Sequence, residues 1–311
     1  MLIGALLALQ VGLALLGVLN KQAVSVVPPL TLEASRRLAA GTLLLLLVAL
    51  RGGGVRPTRR DLLDSVVPGL LGFGVARGCV MVGLTMTSPT NVALIDSGAP
   101  AVALLLAGVL AVERPSRLAV VGSLVAFGGV IGFVLVGTRL ATPNVGDVIT
   151  LGSPLAWGAI YVYLARRGNP GSLLRRTAWF SLAGGIALAV PGLGLNASAL
   201  RSLLDGAVLP ALALGIAIGL VENWLTFNAI TVLGSVQTAE FEYLVPGLTA
   251  AAAFVILGLP VLGAQLVAGV VVVSGLIVAG RARAGAARAS RQPQPQPADG
   301  LPLAGQPCVV C

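Results

Sequence analysis

Long apolar stretches dominate this chain and restrict what it can fold into. A helix rises ~1.5 Å per residue, so about 20 apolar residues cross the ~30 Å hydrocarbon core of a bilayer. Of the 311 residues, 57% are hydrophobic and only 10% are charged, whereas soluble domains carry roughly 25% charged residues. The sequence therefore predicts an all-α polytopic membrane protein. Its ten predicted transmembrane helices are residues 2–19, 34–50, 63–84, 91–111, 118–137, 147–165, 178–194, 208–228, 238–258 and 262–280.

The loops between these stretches differ in charge, and this difference predicts their orientation. The loops after the second, fourth and sixth predicted helices and the C-terminal tail are rich in arginine, whereas the loops on the opposite side contain only Lys21, Arg139 and Arg201. Because cytoplasmic loops carry an excess of Lys and Arg, we expect a multi-pass protein of the cell membrane with both termini in the cytoplasm. Residues 281–311 are rich in Arg, Ala, Gln and Pro. Such a segment cannot bury a core, and we expect a disordered cytoplasmic tail.

Several classes of function are excluded by what the sequence lacks. It has no histidine, so sites that depend on His ligands or a His general base are absent. Its single lysine, Lys21, follows no glycine-rich phosphate loop, which excludes a Walker-type ATPase. The net charge of +9 comes from loop arginines, which indicate membrane topology rather than nucleic-acid binding. We therefore expect no cofactor and no enzymatic activity; the role of Cys308 and Cys311 in the tail stays open.

The two halves of the sequence resemble each other at an offset of 146 or 147 residues. Since each half has five predicted helices, the second half enters the membrane with the opposite orientation, which is a common design of transporters. We therefore predict a first repeat over residues 1–140 and an inverted second repeat over residues 141–280. The matching positions are Gly122 with Gly269, Gly128 with Gly275, Pro100 with Pro246, and Asp96 with Glu242.

Four stretches of sequence also carry a family resemblance. They are Gly17–Gln22 with Pro28, Pro29 and Arg36; Thr87–Pro100 with Glu113, Arg114 and Pro115; Gly146–Trp157 with Arg166 and Arg167; and Glu242–Pro246 with Gly269 and Gly275. With them the chain resembles the EamA-type, ten-helix branch of the drug/metabolite transporter superfamily. It departs from the pattern at Leu259 and Pro260, where the first half has Glu113. The resemblance implies export or exchange of amino acids or other small metabolites.

Charged residues inside the predicted helices are the main candidates for function. A charge at membrane depth costs at least ~2.5–3.5 kcal/mol and needs a partner or a water-filled cavity. Counting the helical rise places Arg77 ~10 Å and Asp96 ~8 Å from the outer face, as expected of an ion pair. Glu222 and Glu242 lie in the inner half with no cation expected nearby. Two carboxylates that share a desolvated site raise each other's proton affinity, so they are the coupling candidates. Alternatively, they face interfacial water or bond to a neighbouring helix.

The mixture of positive and negative groups suits an amphoteric solute such as an amino acid. Arg77 or Arg36 would bind its carboxylate, and Asp96 or Glu222 its ammonium group. Pro100 and Pro246 interrupt helices and are hinge candidates, although inert kinks are equally expected there. The other binding candidates are polar or aromatic, with interhelical bonding or packing as the alternative role; they are Asn20, Asn91, Asn223, Trp157, Tyr161, Tyr163, Trp224 and Tyr243.

We therefore predict a secondary transporter that works by alternating access, with proton coupling as one option. The alternatives are an uncoupled channel or facilitator, an intramembrane enzyme, and a membrane assembly protein without transport activity. The small solute and the lipid bilayer are the expected partners, and a homodimer is left open. The sequence does not specify the substrate, the direction of transport or the coupling ion.

Overall fold

The computed structural model describes residues 2–86, 92, 95–113, 115–137, 144–167, 172–193, 199–258 and 263–289. All regular secondary structure in these residues is helical. The main helices are α1 (Leu2–Ala23), α2 (Pro29–Leu50), α3 (59–86), α4 (Ala99–Val109), α5 (Arg117–Gly137), α6 (Val145–Arg167), α7 (Leu173–Leu193), α8 (Leu209–Leu233), α9 (235–257) and α10 (Gly263–Ala289). A four-residue helix, Ala199–Ser202, precedes α8.

The lengths and composition of these helices are those of a multi-pass membrane protein. Seven of them, namely α1, α3 and α6 to α10, are long and apolar enough to cross a bilayer. Helix α2 has 22 residues but contains Glu33, Arg36 and Arg37, and the apolar parts of α4 and α5 are shorter. The predicted all-helical membrane architecture is thus confirmed, whereas the crossing of the bilayer by all ten helices stays a prediction.

Charged residues lie where α3 and α9 are interrupted and just before α4 begins. Helix α3 contains two π-helical stretches, and Arg77 directly follows the second of them, Leu70–Ala76. Helix α9 consists of α9a (Ser235–Glu240) and α9b (Val245–Leu257), separated by a 3₁₀ segment that contains Glu242. Asp96 lies just before α4. Because π and 3₁₀ segments shift the side chains that follow them, they frequently occur at functional sites.

The two matched prolines occupy the same place in their helices. Pro100 is the second residue of α4, and Pro246 is the second residue of α9b. Proline fits the first turn of a helix because no backbone N–H is needed there. Each proline therefore starts a helix just after a break that carries a carboxylate, Asp96 or Glu242.

The helices pack in pairs that recur in the two halves. Helix α2 packs along α7, and α5 packs along α10. Helix α1 contacts α8 and α9, and α6 contacts α3 and α4. Aromatic rings fill the centre between α3, α6, α7 and α8: Phe180 lies 5.3 Å from both Phe73 and Phe227, and Phe73 lies 5.5 Å from Trp157. This core supports the polar cavity described below.

Small residues allow α5 and α10 to cross at close range. A Cβ atom built at Gly122 would lie 2.7 Å from the Gly275 carbonyl oxygen, and one built at Gly275 would lie 2.6 Å from the Gly122 carbonyl oxygen. By contrast, a Cβ atom at Gly128 or Gly269 would meet nothing within 4 Å. Gly122 and Gly275 therefore form the crossing point, because any side chain there would force the two backbones apart.

We expect Gly122→Val to destabilise the protein by about 1–3 kcal/mol, the usual cost of overpacking. Unfolding of the detergent-purified protein in SDS mixed micelles measures this difference. Gly128→Val is the matched control, because it adds the same side chain to the same helix in open space. Equal stabilities of the two variants would contradict the close crossing.

Candidate functional site

A polar cavity of about 590 Å³ lies among the helices. Residues of α1, α2, α3, α6, α8 and α9 line it, together with Asp96, Ser97 and Gln265. Because the surrounding helices are apolar, these polar groups are concentrated where they can face each other and water instead of lipid. The charged residues of the wall are Glu33, Arg36, Arg37, Arg77, Asp96, Glu222 and Glu242.

Four of these charges form a continuous chain of ion pairs. Glu33 accepts from Arg36 at 3.2 Å and from Arg37 at 2.9 Å, and Arg37 also contacts Glu222 at 2.7 Å. The contacts from Glu33 follow from the i,i+3 and i,i+4 spacing, which places the three side chains on one face of α2. Arg36 extends the chain by donating to Asn20 at 2.5 Å. The chain thereby joins α1, α2 and α8 with two cations and two carboxylates.

Packing fixes these arginines in place. The Arg37 guanidinium lies 3.7 Å from the centre of the Phe73 ring, which is a cation–π contact. Gly215 on α8 leaves room for Arg36, since a Cβ atom there would lie 2.5 Å from Arg36 Nε. Both arginines are buried, so they are held by the protein on several sides.

The expectation that Glu222 has no cation nearby is wrong, because Arg37 pairs with it. By the count of helical rise that puts Glu222 in the inner half of the membrane, Arg37 lies in the outer half. That count follows only the backbone, and it ignores helix tilt and the length of the arginine side chain. The two groups therefore meet although their Cα atoms were assigned to different depths.

Arg77 and Asp96 form a much looser pair. Their closest atoms, Arg77 Nη1 and Asp96 Oδ2, are 4.0 Å apart, and the side chains are 28% and 31% exposed. Ser153 donates to the other Asp96 oxygen at 2.5 Å. The Nε atom of Arg77 has no hydrogen-bond partner among the described residues. The pair was expected from the sequence, and the structure places it in the wall of the cavity.

Glu242 differs from the other carboxylates of the cavity. It accepts a hydrogen bond from the Tyr161 hydroxyl at 2.5 Å. Among the residues that the structure describes, no arginine or lysine forms an ion pair with it. Glu242 is thus held by a neutral donor and lacks the adjacent cation that Glu222 has.

The remaining predicted site residues divide into two groups. Asn20, Trp157, Asn223 and Pro246 line the cavity together with Arg36 and Tyr161. Asn223 also donates to Ser181 at 3.2 Å. Asn91 lies outside the described residues.

Four predicted residues lie away from the cavity. Trp224 is 43% exposed on the outside of α8, and Tyr243 is buried with its ring 6.0 Å from that of Phe127. Pro100 is buried and absent from the cavity wall, and Tyr163 donates to the Leu63 carbonyl oxygen. Asn223 and Trp224 are adjacent on α8, but only Asn223 lines the cavity.

Sequence reasoning did not assign Glu33 and Arg37 to the site, although both line the cavity. The signal was present, because three charges at i, i+3 and i+4 in an apolar helix indicate a buried network. Thr226 and Gln265 also line the cavity, and no comparable pattern marks them.

Ion pairs and hydrogen bonds also connect the helices at the arginine-rich end of the bundle, away from the polar cavity. Arg167 contacts Asp64 at 2.5 Å, and Arg175 contacts Asp61 at 2.9 Å. Glu240 binds both Arg283 and Ser123, and Glu113 accepts from the backbone N–H and the hydroxyl of Ser235 at the start of α9a. These contacts hold together the end of the bundle that lies away from Asn20 and Gln265.

Comparison with known proteins relates the first half of the chain to a family. Residues 2–135 match the model of the EamA-like transporter family. This match confirms, for these residues, the resemblance drawn from the sequence, and the long apolar helices are those of a multi-pass membrane protein.

Two curated relatives and one solved structure extend the similarity to known proteins beyond residue 135. It is 28% identical over 230 residues to the "Uncharacterized transporter YyaM" of Bacillus subtilis, covering 72% of this chain and 75% of that one. It is 37% identical over 177 residues to the "Uncharacterized protein PA1977" of Pseudomonas aeruginosa, covering 54% and 57%. A crystal structure of a further protein, 20% identical, matches with a TM-score of 0.72 over 91% of this chain and 97% of its own. This last likeness shows that the chain shares one known fold across both halves.

Proposed function

We propose that the chain is a secondary transporter that moves a small amphoteric solute, with an amino acid as the best match, by alternating access. The observation that carries this proposal is the cavity, which has positive and negative side chains among apolar helices. Charges at membrane depth are costly, and they are characteristic of solute pathways. An amphoteric solute offers a counter-charge to both kinds of group.

The same proposal includes ten crossings of the cell membrane, arranged as inverted repeats over residues 1–140 and 141–280. Helix packing supports this arrangement. In an inverted repeat of five helices, α1 corresponds to α6, α3 to α8 and α4 to α9. The contacts of α1 with α8 and α9 then match the contacts of α6 with α3 and α4. The helices α2 and α7, like α5 and α10, would be equivalents that meet at the pseudo-two-fold axis. The arginine-rich loops support cytoplasmic termini.

This orientation would leave the cavity connected to the outside. Asn20 lies near the end of α1 and Gln265 near the start of α10, and both positions would be at the outer side. The ion pairs of Asp61, Asp64 and Glu240 would close the cytoplasmic side. Export would then require these contacts to open, so that the solute enters from the cytoplasm.

Proton coupling is the part of the proposal that involves Glu242. A carboxylate among apolar helices needs a cation beside it or a proton. Glu222 has the cation Arg37, whereas the only described hydrogen bond of Glu242 comes from Tyr161. Glu242 is therefore the coupling group we propose, and Glu222 has the role of holding Arg37.

Uptake into proteoliposomes tests the proposed function. The protein is reconstituted, and uptake of a panel of radiolabelled amino acids is measured with and without an imposed pH gradient. We expect saturable uptake of one class of amino acid, accelerated by the gradient. Flux that does not saturate would favour an uncoupled channel, and absence of uptake across the panel would contradict the amino-acid assignment.

A further inference from the structure

We infer that Arg77 and Asp96 bind the carboxylate and the ammonium group of the transported solute. The buried ion pairs beside them, from Glu33 to Glu222, would have a structural role. This inference rests on the proposed function, and it selects one binding pair among the seven charged side chains of the cavity.

The chain of ion pairs has little capacity left for a ligand. Its contacts are 2.7–3.2 Å long, and its side chains are between 3% and 14% exposed. Glu33 binds two arginines, and Arg37 binds two carboxylates and faces Phe73. A solute could bind there only by breaking contacts inside the membrane, and breaking a buried pair is strongly unfavourable.

Arg77 and Asp96 differ from this chain in exposure and in the length of their contact. They are two to ten times more exposed than the side chains of the chain, and their closest approach is 4.0 Å. A guanidinium group has five N–H donors, and the 4.0 Å contact of Arg77 with Asp96 is longer than a hydrogen bond. Asp96 uses one oxygen for Ser153, while its other oxygen faces Arg77.

The geometry favours a solute that carries both charges close together. Its carboxylate would form a charge-assisted, two-pronged contact with the guanidinium group of Arg77, and its ammonium group would bind Asp96. The loose ion pair would thus be replaced by two closer ones, and no charge in the cavity would lose compensation. A solute with a single charge would separate the pair and leave one member without a partner.

Competition by singly charged analogues tests this assignment. Uptake of labelled leucine is competed with unlabelled leucine, with 3-methylbutylamine, which lacks the carboxylate, and with 4-methylpentanoate, which lacks the ammonium group. If another amino acid of the panel is transported best, that amino acid and its own two analogues replace these three. The wild-type protein is expected to prefer the amino acid over each analogue by roughly tenfold to a hundredfold.

Each substitution is expected to remove one of the two preferences. Asp96→Asn removes the preference over the acid and keeps that over the amine, whereas Arg77→Gln has the opposite effect. Arg56→Gln is the matched control, because Arg56 is exposed and forms no ion pair among the described residues; it is expected to leave both preferences unchanged. For a variant that folds but does not transport, stabilisation of the detergent-purified protein by the same three compounds gives the same comparison.

Two results would overturn the inference, and they are distinguishable. If the wild-type protein transports an amino acid and both variants keep both preferences, the proposed function stands and the binding pair is wrong. If the wild-type protein transports no amino acid of the panel, the amino-acid assignment fails and this inference fails with it.

Discussion

Replacing Arg37 with glutamine is expected to lower the free energy of unfolding by about 3–5 kcal/mol, the usual cost of breaking a buried ion pair from one side. Arg37 contacts Glu33 at 2.9 Å and Glu222 at 2.7 Å, so both carboxylates would lose a cation at membrane depth. Unfolding in SDS mixed micelles, followed by circular dichroism, measures the loss.

Two further variants show whether the loss arises from the unpaired charge. The double variant Arg37→Gln/Glu222→Gln is expected to recover part of the stability, because Glu33 keeps Arg36 and no uncompensated carboxylate remains on α8. Arg56→Gln, at an exposed position with no ion pair among the described residues, is expected to stay within about 0.5 kcal/mol of the wild-type protein. A loss for Arg37→Gln no larger than that for Arg56→Gln would contradict a structural role for the chain of ion pairs.

Replacing Glu242 with glutamine is expected to abolish the acceleration of uptake by an imposed pH gradient. Glutamine has nearly the same shape and accepts from Tyr161 through its carbonyl oxygen, but it cannot bind and release a proton. Exchange of labelled for unlabelled amino acid across the membrane requires no net proton movement, so it is expected to continue. Measuring gradient-driven uptake and exchange on the same proteoliposomes separates the two effects.

Tyr161→Phe is the matched control for this prediction. It removes the hydrogen bond to Glu242 and keeps the carboxyl group, so the response to the pH gradient is expected to persist. A full gradient response in the Glu242→Gln protein would exclude Glu242 as the coupling group. Loss of both uptake and exchange in that protein would instead assign Glu242 to solute binding.

Much of the fold could be predicted because bilayer thickness determines how long each helix must be. Each predicted stretch overlaps a helix of the structure, and Pro100 and Pro246 indicated the places where α4 and α9b begin. The neighbouring positions of Arg77 and Asp96 also followed from the helical rise alone. All of these inferences use distances along one helix, which a sequence contains directly.

The expectations that failed concern the rotation of a helix about its axis and the reach of a long side chain. Both are determined by packing between helices. Asn223 and Trp224 are adjacent in sequence, yet the packing of α8 turns only Asn223 toward the cavity. Glu242 and Tyr243 are separated in the same way, since Tyr243 packs against Phe127. Apolar residues surround most transmembrane helices on all sides, so the sequence pattern does not reveal which face is turned inward.

Cysteine labelling, measured with and without the solute, shows whether the transported solute occupies the polar cavity. Thr226, in the cavity wall, is replaced by cysteine after Cys79, Cys308 and Cys311 have been changed to serine. The rate at which a membrane-impermeant maleimide labels this cysteine is then measured with and without the transported amino acid.

Ala251 is the control position, because it lines an apolar crevice between α5, α9b and α10 and does not line the polar cavity; a cysteine there should label little under either condition. We predict that the amino acid slows labelling at position 226 in a saturable way, with the same concentration dependence as uptake. An unchanged labelling rate at concentrations that saturate uptake would contradict the claim that this cavity is the solute pathway.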